Sequence, residues 1–550
     1  MFSKKSSSDL EENSASISEK SMADLVRWHM NMLSGKDKSN MPADHPAGHP
    51  GGHPAEHPGG HPGGHPAGHP GGHPGGRPGG MTHSHGVSIN DFMKVMSKAS
   101  KAPTSSWQAR ITDDPLAHAF AEKVTVHAGM VGTPVEGEHV SARMGEIFSS
   151  PRTQRSVLYV HFPYCESQCT YCGFFGGKYS EAAGVAYVAA LKKHLEGVAA
   201  KQAAQGPAIE AVYFGGGTPT ELPPAALRDL LSTVRRLFPL SDDCEVTMEG
   251  RIHSLTPEKV EACLEGGANR FSIGVQSFQT DLRRSIGRLD DQDYVCATLE
   301  QLASYNKASI VVDLIYGLPG QTLHTWKADL DLICSLPLDG VDLYQLMVFP
   351  GSRLARGVKD GSAAPVAQLH EQGAFYRMGA DVMQSRGYKR LSICHWGKTE
   401  KERNIYNSLS KQRENCLAFG CGAGGMLDGY FYYSNRAPQQ YMDAVMNSDD
   451  PFACTSLLVA PPRNADAMQF IISQMEMGYL DVTALGTRVN SEDMASIEPL
   501  LNNWKEAGLL EEDRVATPGG EQRRIDLTLA GQFWQVNLSQ GLVSTLCGVA

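Results

Sequence analysis

From Ser156 onward, short β-rich runs alternate with longer amphipathic helical stretches. Strands are read at 156–162, 211–216, 244–250, 270–276, 309–317 and 340–348, with helices at 181–200, 223–238, 257–266 and 322–336. Few folds accept this pattern. Successive parallel strands need crossover helices, and such crossovers are right-handed. Six units predict an α/β fold: a partial (βα)6 barrel, open rather than closed. After about residue 455 the alternation stops. Helices at 465–480 and 491–508, a polar loop and the β-like RRIDLTL predict a C-terminal winged-helix-like α+β domain. Such units often bind DNA. The formal net charge of -11 and the lack of a basic stripe point instead to a structural cap, with no nucleic-acid partner.

Residues 1–104 differ in kind. Between Met41 and Gly80 the chain is almost entirely His, Pro, Gly and Ala, with histidines at every fourth position from His45 to His73. Such a tract has little apolar surface to set against its ordering entropy, so a disordered N-terminal extension is expected. Before it, Met22, Leu25, Val26, His29 and Leu33 fall near one face of a short helical stretch. The expected divisions are 1–104, a segment 105–155 that the sequence does not place, the barrel 156–360, a flanking substrate region 361–454, and 455–550. The first residues carry no apolar export signal, and no apolar run nears the ~20 residues needed to cross a bilayer. A cytoplasmic protein without a membrane span is expected. The 12 cysteines show no disulfide pattern, which fits a reducing compartment.

Three of those cysteines carry the strongest chemical signal. Cys165, Cys169 and Cys172 lie in YVHFPYCESQCTYCGFF, directly after the first predicted strand. Thiolates are the usual ligands of iron–sulfur clusters. Three on one loop hold three irons of a cubane and leave the fourth open to a ligand. A zinc site normally takes four protein ligands, often as two pairs, and no second pair follows.

The motif and those after it resemble the radical S-adenosylmethionine (SAM) superfamily, in the branch of oxygen-independent coproporphyrinogen dehydrogenase and its related haem chaperone. The resemblance runs from about residue 105 to the C-terminus. It implies a 4Fe–4S cluster on Cys165, Cys169 and Cys172, and SAM bound as one molecule or two. Implied SAM contacts are Tyr159, Tyr171, the glycine edge Gly215, Gly216, Gly217 and Thr218, then Glu249, Gln276, Arg288 and Asp313. Most of these fall at or near the carboxyl ends of predicted strands, where barrel active sites are built. Each could also be an ordinary loop or capping group. Tyr159, within a strand, could simply be packing.

Within the branch, Phe174 stands where the coproporphyrinogen dehydrogenases carry a further cysteine. The sequence Cys394-His395-Trp396, then Glu402-Arg403-Asn404-Ile405-Tyr406-Asn407, is most similar to the ChuW/HutW-type anaerobic haem-degrading methyltransferases, the anaerobilin synthases. The segment 114–130 and Glu249-Gly250-Arg251-Ile252-His253 also look like that group. The resemblance implies an enzyme of haem utilisation and iron acquisition. It would open the porphyrin without oxygen to a linear methylated tetrapyrrole and release iron, with electrons from a flavodoxin- or ferredoxin-like donor. The alternatives are a haem chaperone that transfers haem intact and an oxygen-independent coproporphyrinogen III dehydrogenase. Candidate substrate contacts are His395, for iron or a propionate, and Arg251 and Arg403 for propionates. A core histidine and surface ion pairs are the competing readings. The histidine tract lies outside the resemblance. Its imidazoles suit haem or divalent metal, and a repeat-expanded linker is its alternative.

Overall fold

The computed structural model describes residues 107–124, 132–349, 352–517 and 520–547. The histidine tract, the 18–33 stretch and the rest of 1–104 lie outside the described residues.

All six predicted strands are present, as β1 (Ser156–Phe162), β2 (Ile209–Gly216), β3 (Leu240–Gly250), β4 (Arg270–Gln276), β5 (Ser309–Tyr316) and β6 (Gly340–Gln345). They lie side by side in that order, every neighbouring pair parallel. The crossovers are α1 (Glu181–Ala199), α2 (Pro224–Leu237), α3 (Pro257–Glu265), α4 (Gln292–Ser304) and α5 (Leu323–Ser335). Each helix starts where its sequence provides for it. Ser180, Asp291 and Thr322 accept from backbone N–H groups of the first turns of α1, α4 and α5, and α2 and α3 open on proline. Strands such as SIVVDLIY are buried on both faces, as a helix-covered parallel sheet requires.

The sheet extends beyond the six strands. At one side, β7 (His395–Gly397) adds antiparallel to β6 after helix α6 (Leu369–Ser385). At the other, α7 (Ile405–Lys411) leads into β8 (Asn415–Phe419), which pairs parallel with β1. Antiparallel β9 (Gly424–Leu427), β10 (Tyr430–Ser434) and β11 (Thr455–Ala460) continue from β8. The region 361–454 is therefore woven into the barrel sheet at both ends. The boundary expected at 455 moves as well, because Thr455–Ala460 is a strand of the large sheet and the C-terminal unit begins after it.

That unit contains the expected helices, α8 (Ala465–Glu476) and α9 (Ser491–Glu506), and a wing. The wing pairs β12 (Tyr479–Asp481) and β13 (Leu510–Thr517) with β14 (Gly520–Leu527), and α10 (Gln535–Leu546) is the last element among the described residues. The sequence did not place residues 105–155; the structure places 107–124 and 132–155. Residues 107–124 bind the C-terminal unit: Trp504 Nε1 donates to Trp107 O at 2.7 Å and Trp534 Nε1 to Pro115 O at 2.9 Å. Thr133–Pro134 then pairs with β11 as an edge strand. The N-terminal segment thus staples the cap to the sheet edge. Among the described residues, no helix is long and apolar enough to cross a membrane.

Candidate active site

Side chains from alternate positions of β1–β6 share the inner face of the curved sheet. Register sets them in layers. Tyr159, Tyr213, Thr247, Arg270 and Ser309 align in a low layer, and Gly274, Asp313 and Asp342 stand near the carboxyl ends.

The low layer is closed by charge. Glu402 is buried, with Arg270 Nε at 3.0 Å, Ser309 Oγ at 2.7 Å and His395 Nε2 at 3.0 Å. His395 Nδ1 lies 2.8 Å from Asp342 Oδ2. Gly340 makes room for this group, since a Cβ there would meet Glu402 Cγ at 3.0 Å. Burial pushes the Glu402 carboxyl up, but Arg270 and His395 outweigh it and hold it at about 2. Burial pushes the His395 ring down, and Asp342 and Glu402 overcome this and raise it to about 9. Both ring nitrogens are thus engaged by carboxylates. This corrects the expectation that His395 contacts iron or a propionate: both ring nitrogens face protein carboxylates, and the charged ring has no lone pair to offer a metal. Arg403 is corrected too. It points away from the interior, with Nη2 donating to the Asp243 carbonyl at 2.8 Å beside the exposed Asp243 carboxylate.

The rest of the Glu402–Asn407 segment is also structural. Asn404 takes the left-handed conformation at φ 54°, and Glu245 accepts from Ile405 N and Tyr406 N at 3.0 and 3.1 Å. This turn carries Tyr406 into the barrel. Its ring lies 4.5 Å from Tyr213 and 6.1 Å from Tyr159, centroid to centroid. The three tyrosines form an aromatic floor beside the charged plug, with Tyr159 and Tyr213 in the same layer as Arg270.

The cysteine loop crosses the opposite, carboxyl end. Cys165 and Cys169 are buried and Cys172 is half-buried. Backbone bonds hold the loop on the glycine edge of β2, with Gly217 N donating to Phe162 O at 2.6 Å and Thr218 N to Tyr164 O at 2.9 Å. Thr218 Oγ1 donates to Cys165 Sγ at 3.2 Å, and Phe174 N to Cys172 Sγ at 3.3 Å. Burial pushes the Cys165 and Cys172 thiols up, and these bonds offset that in part by favouring the thiolates. Two buried guanidiniums flank the loop. Arg251 Nη1 donates to Ser167 O at 3.0 Å; Arg288 donates to Gly274 O and reaches Tyr171 Oη at 3.5 Å. The Nε atoms of both arginines are buried without a hydrogen-bond partner. Three thiols with two cations and unfilled donors suit an anionic cluster and a carboxylate-bearing ligand. Arg251, expected as a propionate partner, therefore stands at the cluster loop.

Gly217 is tightly constrained. A Cβ there would meet Tyr164 O at 2.6 Å and Phe162 O at 2.9 Å, both backbone. Gly217→Ala is expected to push β2 off the cysteine loop and lower iron–sulfur loading severalfold while leaving the chain folded. Iron and sulfide analysis beside a thermal melt checks this.

The remaining expected SAM contacts are distributed as follows. Glu249 accepts from Gly216 N at 2.8 Å and Tyr213 Oη at 2.7 Å. Gln276 ends β4 at φ 73°, a conformation rare outside glycine, where the register slips by one residue. Burial, with Asp342 and Glu249 nearby, raises the Asp313 carboxyl to about 7. Tyr171 lies beside Arg288, with Gly215 next to Glu249. Tyr159 is lower in the barrel, its hydroxyl 2.9 Å from His161 Nδ1. Sequence reasoning missed His161, Tyr213, Arg270 and Asp342. Their signal was a polar or charged residue inside an otherwise apolar parallel strand.

Comparisons with known proteins agree with this geometry. Residues 159–333 match the radical SAM superfamily. The chain is 36% identical over 410 residues to an anaerobilin synthase of Escherichia coli O157:H7, spanning 74% of this chain and 88% of that protein. It is 29% identical over 298 residues to the heme chaperone HemW of Bacillus subtilis (strain 168), spanning 54% and 78%. The solved coproporphyrinogen III oxidase HemN of Escherichia coli superposes with a TM-score of 0.61 at 21% identity, covering 73% of this chain and 93% of that one, a likeness of fold. The cysteine loop on a partial barrel and the long match to these relatives place the chain in the radical SAM superfamily, in their branch, as a radical SAM enzyme.

Proposed function

We propose that this enzyme opens the haem macrocycle without oxygen, as a radical SAM methyltransferase, yielding a linear methylated tetrapyrrole and freeing the iron. The observation that carries the reading is a barrel with the cysteine loop at its carboxyl end and, inside it, the floor of Tyr159, Tyr213 and Tyr406 beside the buried Arg270, Glu402 and His395. An aromatic barrel interior suits a planar macrocycle and helps keep water from a radical. The match to a protein named anaerobilin synthase over most of its length supports the same reaction.

Radical SAM enzymes bind a 4Fe–4S cluster and SAM, and the bound cluster supplies the electron that cleaves SAM. In this chain Cys165, Cys169 and Cys172 would hold the cluster. Arg288 is suited to the SAM carboxylate, because its guanidinium is buried, cationic and has a free Nε–H. Glu249, with Asp313 one strand-pair further along, offers acceptors for amino and hydroxyl groups. Arg251 offsets thiolate charge at the loop. A flavodoxin- or ferredoxin-like protein is the proposed electron donor, and the cysteine loop is its natural point of approach.

Anaerobic turnover tests the reading. The reconstituted enzyme is given SAM, haem and a low-potential reductant, and the pigment is followed by absorbance and mass spectrometry. The expected result is loss of the haem band and a linear tetrapyrrole carrying one added carbon. Haem that stays bound and intact would instead favour a haem chaperone, as the Bacillus relative is named.

A further inference from the structure

A second convergence of ligand-type side chains lies beside the cysteine loop. Glu166 follows the first cluster cysteine. Glu221 ends the short turn Pro219–Glu221 after β2, and His253 lies in the turn Ile252–Ser254 after β3. All three stand past the carboxyl ends of barrel strands, on the rim that carries the cluster loop. His253 Nε2 is 3.0 Å from Glu221 Oε1 and 3.1 Å from Glu166 Oε2. The three ligand atoms all lie within 4.8 Å of one another.

An ordinary ion-paired histidine does not require this arrangement. An imidazole nitrogen carries one hydrogen or one lone pair and serves one partner well. Here two carboxylates from different loops converge on a single nitrogen. Glu221 is largely buried, its side chain 9% exposed, and it is fixed by Glu166 N, which donates to Oε1 at 3.3 Å. The neighbouring Lys259 ammonium is engaged by backbone carbonyls, at 2.7 Å from Thr220 O and 3.3 Å from Glu221 O. Among the described residues, the other group of comparable spacing, Glu136, Glu138 and His139, is fully exposed and has no buried member.

We propose that Glu166, Glu221 and His253 bind a divalent transition-metal ion of the Fe2+ or Mn2+ class. Two carboxylates balance its charge, and the imidazole selects against magnesium and calcium, which prefer all-oxygen sites. Three protein donors on one side leave coordination positions for water. Binding involves no redox change: the ion arrives and leaves divalent, waters are displaced, and the ring binds through the Nε2 lone pair with its hydrogen on Nδ1. The further role rests on the haem-opening reading. In it, this site receives the iron released from the macrocycle at the edge of the chamber.

The test uses the full chain with its cluster reconstituted, free of oxygen, with Mn2+ alone as probe. Equilibrium dialysis and Mn2+ electron paramagnetic resonance compare the wild type with Glu166→Gln and His253→Gln. Any metal held by the histidine tract is common to all three and cancels. The wild type is expected to hold one more Mn2+ per chain than either variant, or to hold it at least about 10-fold more tightly. The nitrogen hyperfine coupling of that additional ion should be missing from His253→Gln. The Glu166 side chain is 64% exposed, so its amide variant isolates the ligand from any loss of fold. Identical Mn2+ isotherms in the three proteins would overturn the site. Lost Mn2+ binding with unchanged release of iron from haem would uphold the site and overturn its role in iron handling. Haem left intact by all three would count against the haem reading alone.

Discussion

Cys169→Ser is expected to bring SAM cleavage down to background and to strip the iron–sulfur absorbance, with little change in overall fold. The same holds for Cys165→Ser and Cys172→Ser. Each replaces a soft thiolate by a hydroxyl that binds iron weakly and stays protonated near neutral pH. The loop itself should survive, because backbone bonds hold it. Gly176 N donates to Pro163 O, Tyr179 N to Cys165 O and Leu354 N to Thr170 O, each at 2.8–2.9 Å. Cys296→Ser serves as the control: it changes a half-buried thiol on α4, away from the loop, and should keep both cluster and activity. The measurements are iron and sulfide per chain, visible absorbance, and SAM cleavage products by chromatography. A Cys169→Ser protein with full iron and normal SAM cleavage would remove the cluster assignment.

Glu402→Ala is expected to be the most destabilising single change on the barrel floor. Removing it leaves Arg270 a buried charge without its ion-paired carboxylate and His395 with Asp342 alone, a loss of about 3–5 kcal/mol. Arg270 already has a buried Nη2 without a hydrogen-bond partner, so it has little means of compensating. The network also sets a pH signature. Glu402 is held at about 2 against an ordinary 4.5, so its contribution is present above pH 4.5 and disappears as pH falls toward 2. His395 is raised to about 9 from 6.5, so its contribution is complete below pH 6.5 and is lost as pH rises through 9. Denaturant unfolding of the wild type should therefore show greatest support from this pair between pH 4.5 and 6.5. In Glu402→Ala the acid-side slope should diminish. Equal stability of the two proteins across that window would show that the floor is held by something else.

The arrangement also explains why the His395-Trp396 and Glu402–Asn407 signature reads so distinctively. The sequence presents it as a cluster of substrate-type side chains. In the fold, Glu402, His395 and Glu245 are occupied in closing the barrel, and Tyr406 is the member delivered to the interior. A residue type can reveal that a position is special without revealing whether it faces ligand or protein. That distinction depends on partners such as Arg270 and Asp342, which are remote in the chain.

What the sequence determined by itself was local. Alternating apolar runs and capped amphipathic helices dictate six parallel strands, because burial on both faces and right-handed crossovers leave one arrangement for them. The spacing of Cys165, Cys169 and Cys172 directly after β1 sets the chemistry, because three thiols on one short loop need no distant partner. What only the tertiary structure decided was every feature built from separated segments. The five-residue NCLAF carries no periodic signal long enough to mark β8, and it becomes a strand by pairing with β1 across more than two hundred residues. The tyrosine floor, the ion plug and the Glu166–Glu221–His253 group each join loops or strands whose closeness depends on chain closure. Pairing energies of that kind exist only once the chain has folded, so no local pattern records them.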